Sequence, residues 1–103
     1  ACTEESLKLL FLAQWQRRFP FPASLHVLAA ACLGAGFASI EVWLAAPPTL
    51  SIALALILVH ITTSIVLGYG TRSGRPFIIL RGSVLLTAVV LHTVYNLFFA
   101  SLQ

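Results

Sequence analysis

Four long apolar runs divide this chain, and each is far longer than a typical strand. They cover about 1–16, 23–46, 50–70 and 77–102, and none shows a sustained two-residue alternation. The breaks between them are made of helix-stopping or polar residues. Arg17-Arg18-Phe19-Pro20-Phe21-Pro22 ends the first run, Pro47-Pro48 the second, and Thr71-Arg72-Ser73-Gly74-Arg75-Pro76 the third. The pattern predicts an all-α fold with four helices.

Hydrophobic residues make up 59% of the chain and charged residues only 9%, with a mean hydropathy of +0.98. Soluble domains carry about 25% charged residues, and so small a soluble chain has too little interior to hide this much apolar surface. The expected solvent is therefore lipid, and the expected architecture a multi-pass transmembrane helical bundle of about four membrane helices. The first run is short against the roughly 20 residues of a full span. That shortness, with the lack of any methionine, reads as a fragment of a larger protein.

A net charge of +3 raises the possibility of nucleic-acid binding, but Arg17, Arg18, Arg72, Arg75 and Arg81 sit at the ends of apolar runs rather than forming a recognition surface. Counting crossings places the Arg17/Arg18 and Arg72/Arg75 loops on one side and the uncharged Pro47-Pro48 loop on the other. The positive-inside rule makes the arginine side cytoplasmic. Trp15 and Trp43 fit the two interfacial belts, and Ala30, Gly34 and Ala38 form a small-residue stripe suited to close helix contact. Cys2 and Cys32 read as buried packing residues, and His26, near the arginine side, as incidental.

The three acids, Glu4, Glu5 and Glu41, all lie inside apolar runs, as do Lys8, His60 and His92. A charge at a helix centre costs about 2.5–3.5 kcal/mol on insertion scales, so such residues usually face a protein interior and act there. Measured from Gln16, Gly70 and Arg81 at about 1.5 Å per residue, Glu5, His60 and His92 lie roughly 15–16 Å deep. Taking Phe77 as the marker instead puts His92 roughly 22 Å deep, and Glu41 lies about 27 Å from Ala23. Glu4 and Glu5 stand four and three residues before Lys8, while His92 and Asn96 are one turn apart and can address one cavity. Ser64, Thr62 and Thr63 read as packing residues rather than nucleophiles.

Glu4-Glu5-Ser6-Leu7-Lys8 resembles the E-E-x-x-K motif of the PrsW-type intramembrane metalloproteases. Gly36-Phe37-Ala38-Ser39-Ile40-Glu41 resembles that family's G-F-A-x-x-E segment, His60 its third motif, and His92-Thr93-Val94-Tyr95-Asn96 its H-x-x-x-N close. The related CAAX-processing membrane proteases share a glutamate pair and two histidines, and Lys8 favours the PrsW side. The resemblance implies hydrolysis of peptide bonds in membrane-anchored protein substrates within the lipid bilayer. His60 and His92, with Glu41 as third ligand, would hold zinc, and Glu4 or Glu5 would act as base. A metal-free version leaves water activation to one glutamate and oxyanion stabilisation to His92 and Asn96. A non-catalytic scaffold and an ion or proton transporter are the competing readings of the same polar set.

Overall fold

The computed structural model describes residues 2–46, 49–72 and 78–100, and side-chain surroundings for all of these except 78–81, 99 and 100. Four helices follow one another: α1 (Cys2–Arg18), α2 (Ala23–Ala45), α3 (Leu50–Thr71) and α4 (Ile78–Ala100). The chain is all-helical among the described residues, and these bounds match the four apolar runs closely. The Pro47-Pro48 break, all of Ser73–Pro76 and the Arg81 side chain lie outside what is described.

Local chemistry sets the ends. Proline fixes φ and lacks an N–H, so Pro22 starts α2 from an extended conformation, and its carbonyl accepts from His26 N at 3.0 Å. Ala46 ends α2 in the left-handed region at φ 45°, its N–H donating to Val42 O. Thr49 caps α3, its hydroxyl accepting from Ile52 N at 3.2 Å. Between α1 and α2, Trp15 packs with Phe11, Phe19 and Phe21, and Gln16 Nε2 donates to Phe21 O. These contacts fold the connection back on α1.

Two helices, Ala23–Ala45 and Leu50–Thr71, are long and apolar enough to cross a membrane; α4 contributes a shorter apolar stretch, Gly82–Phe98. At 17 residues, α1 is about 26 Å long and carries five charged residues.

α3 is the central element, packing against α1, α2 and α4, while among the described residues the backbones of α2 and α4 do not approach each other closely. Small residues bring α2 and α3 together. A methyl group built on Gly34 would collide with the His60 carbonyl and lie 2.7 Å from Ser64 Oγ; one on Gly68 would lie 2.7 Å from Ala30 Cβ. The Ala30–Gly34–Ala38 stripe is buried as its spacing predicts. Leu12, Ala30, Leu67 and Ala88, one from each helix, form the apolar core.

Burial is inverted relative to a water-soluble bundle. Glu5, Lys8, His26, His60, Thr63, Ser64 and His92 are buried, whereas Trp43, Leu44, Leu50 and Leu97 are each more than 70% exposed. The expectation that both cysteines are buried is overturned, since Cys2 and Cys32 are exposed. Cys32 sits two residues from Ala30 and Gly34, on the side of α2 turned away from α3. Cys2 opens α1 ahead of its packed turns.

Candidate metal and carboxylate centre

Three helices deliver the polar groups to one place. On α1, Glu5 and Lys8 share a helix face three residues apart, and Glu4 lies beside them. On α3, His60, Thr63 and Ser64 face inward because Gly34 lets α2 approach on the same side. On α4, His92 stands one turn beyond the core residue Ala88.

Glu5 is the hub. Its Oε1 lies 2.8 Å from His92 Nδ1 and 3.2 Å from Lys8 Nζ, and accepts a long 3.5 Å contact from Thr63 Oγ1. Its Oε2 is buried without a hydrogen-bond partner among the described residues. Glu4, about a quarter exposed, has its Oε1 3.7 Å from Lys8 Nζ and 3.1 Å from His60 Nδ1. The His60 and His92 rings meet edge to face, with centroids 4.9 Å apart.

Glu41 joins from α2 on the far side of His60: its Oε2 pairs with Nε2, whereas Glu4 and Lys8 face Nδ1. A neutral imidazole carries one N–H. With Nε2–H donated to Glu41, the Nδ1 lone pair is left to accept from Lys8 Nζ at 3.1 Å. The Glu4 carboxylate beside Nδ1 then shares the same lysine rather than bonding the ring directly.

A register clamp sets the heights. His26 Nε2 and Thr71 Oγ1 form a buried hydrogen bond of 2.7 Å, tying the start of α2 to the end of α3. From that pair, Glu41 is 15 residues along α2 and His60 is 11 back along α3, so their backbones differ in height by only about 6 Å. Side chains lean toward the N-terminus of their own helix. In antiparallel α2 and α3, Glu41 and His60 therefore lean toward each other and close that gap. The reading of His26 as incidental does not hold: it is a buried structural clamp.

The donor chemistry fits a divalent metal ion. Glu4, Glu5, His60 and His92 each offer one ligand atom, and all four atoms lie within 4.8 Å of one another. Imidazole nitrogens and carboxylate oxygens are the donor types that zinc takes. The orphaned Glu5 Oε2 is a further buried acceptor for it. Glu41 is outside this group of four, on the opposite nitrogen of His60.

Asn96 is not brought in. It is exposed, and it has no hydrogen bond to the cluster among the described residues. Phe37, one turn before Glu41, is a member that the sequence reading did not assign: Lys8 Nζ lies 5.0 Å from the centroid of its ring. Its spacing from Glu41 was the available signal. Thr63, read as packing, also donates to His60 O at 3.2 Å.

Comparison with protein-family models, curated proteins and solved structures finds no match to this chain.

Proposed function

We propose that this chain is the core of an intramembrane peptidase of the PrsW type, cutting membrane-anchored protein substrates with a glutamate pair and two histidines. The observation that carries the reading is the convergence of Glu4, Glu5, His60 and His92 from three helices, with their ligand atoms within 4.8 Å. Scattered polar residues would have no reason to meet, since each costs free energy to bury.

The membrane setting is part of the proposal. Polar residues inside and large apolar residues outside is the distribution a lipid solvent favours. In this reading all four helices belong to a multi-pass bundle. Arg17, Arg18 and Arg72 lie at the end where α1 meets α2 and His26 meets Thr71, and that end faces the cytoplasm.

Glu5, His60 and His92 would hold zinc, leaving an open position for water and Glu4 free to act on it. When bound, zinc lowers the pKa of water and polarises a carbonyl. Glu41 orients His60 by accepting its Nε2–H, a role carboxylates commonly play behind a metal-binding histidine. This differs from the sequence-based expectation that Glu41 is itself a ligand. Glu4 suits the base: it is the more accessible of the pair, whereas Glu5 Oε1 is committed to His92, Lys8 and Thr63. Glu5 also positions His92, and Lys8 balances the charge of the two carboxylates when no metal is bound. Asn96 is given no role.

A second reading, a proton pathway, is favoured by the continuity of Glu41, His60, Lys8, Glu5 and His92, each in contact with the next. One experiment separates the two. The purified protein is reconstituted with a membrane-tethered peptide, and cleavage, metal content and proton flux are measured for the wild type, Glu4→Gln and Glu5→Gln. The peptidase reading expects cleavage that both variants lose. Cleavage retained by both, or absent from the wild type, sinks it; flux without cleavage selects the proton pathway.

A further inference from the structure

The donor atoms of the candidate centre already surround a cation that the chain carries itself. Lys8, the only lysine in the sequence, is fully buried. Its Nζ lies 3.1 Å from His60 Nδ1, 3.2 Å from Glu5 Oε1 and 3.7 Å from Glu4 Oε1. The Phe37 ring lies 5.0 Å away on another side. Three of the four residues able to bind a metal ion therefore address the ammonium.

An ammonium offers three hydrogens and no lone pair, so each acceptor that points at it is unavailable to a second cation. Two cations within one shell of donors also repel strongly where water is excluded. We propose that Lys8 and a divalent metal ion are mutually exclusive occupants of this donor set, so that metal loading requires the lysine to withdraw. The inference rests on the metal reading given above. The lysine has the means to leave: its four-carbon stem lets the charged head swing while the methylenes stay packed.

The test is metal binding, read without reference to cleavage. Zinc affinity is measured for the full chain in detergent as wild type, Lys8→Met and Lys8→Gln; the glutamine variant keeps a polar head should the methionine variant fold poorly. In parallel, the wild type is labelled with 13Cε-lysine, whose single side-chain resonance reports Lys8 directly. We expect both variants to bind zinc at least about tenfold more tightly, and the lysine resonance to move in step with zinc uptake. The proposal is overturned by affinities equal within about twofold, by zinc uptake that leaves the resonance in place, or by no zinc binding in any of the three proteins. Cleavage by the wild type in chelator, lost in Glu4→Gln, would keep the peptidase reading alive through any of those failures.

Discussion

Glu5 Oε1 and His92 Nδ1 are 87 positions apart in the chain and 2.8 Å apart in space. The contact joins the first helix to the last, and both side chains are buried. It gives Glu5 a part in holding these two helices together that its neighbour Glu4 lacks.

The two glutamates should therefore respond differently. Glu5→Leu leaves Lys8 buried beside one partly exposed carboxylate and costs about 3–5 kcal/mol, the usual loss when a buried pair is broken from one side. Glu4→Gln costs less than about 1 kcal/mol, since its pairing is partly screened. Thermal unfolding in one detergent compares them, and cleavage assays should find both inactive. Equal stability losses would refute the assignment of Glu5 as hub.

Glu41→Ala should weaken zinc binding about 10- to 100-fold while preserving one ion per chain, the effect of removing a carboxylate that orients a ligand. Calorimetric titration decides. A complete loss of stoichiometric binding would make Glu41 a ligand after all; unchanged affinity would leave it no part in the centre.

The α2–α3 approach can be tested by a pair of glycines. Gly34→Ala pushes a methyl group into the His60 carbonyl and Ser64, and should cost about 1–3 kcal/mol and loosen the Glu41–His60 contact. Gly36 has open space around it, so Gly36→Ala should be neutral or stabilising by up to about 1 kcal/mol. Similar stability changes in the two variants would contradict the packing.

His26→Leu should lower stability by about 1–3 kcal/mol by removing the buried bond to Thr71. Its effect on turnover should come through register alone: lower temperature or an added stabilising lipid restores cleavage, in contrast to Glu4→Gln. Inactivity that persists in the fully folded His26→Leu protein would place His26 in the chemistry instead.

Asn96→Ala should retain most cleavage, because Asn96 is exposed while its partner in the motif, His92, is buried. A loss comparable to that of Glu4→Gln would mean that the asparagine turns inward when substrate binds.

The four helices were legible because proline and arginine breaks punctuate apolar runs too long for strands, and the bounds agree within two residues. The meeting of Glu5, His60 and His92 was legible from depth arithmetic. Glu41 was harder, since a height counted from Ala23 puts it about 12 Å beyond His60. Two physical facts were missing from that count: the His26–Thr71 clamp, which resets the register, and the lean of side chains toward their helix N-termini, which brings the two antiparallel partners together. Helix rotation was the other gap. One turn of spacing put His92 and Asn96 on a common face, but the small angle between them suffices to turn one inward and the other outward. The cysteines failed for a similar reason, because apolar context does not tell a bundle interior from an outer surface that is itself apolar.

The Glu5–His92 junction also has a bearing on biosynthesis. A ribosome extends the chain from α1 toward α4, so the acids emerge long before the imidazole that completes their pocket. Until α4 enters, Glu5 has Lys8 as its buried counterpart but no histidine from the last helix. On the peptidase reading, the site is incomplete until α4 is in place, and a chain truncated ahead of position 92 should show no cleavage.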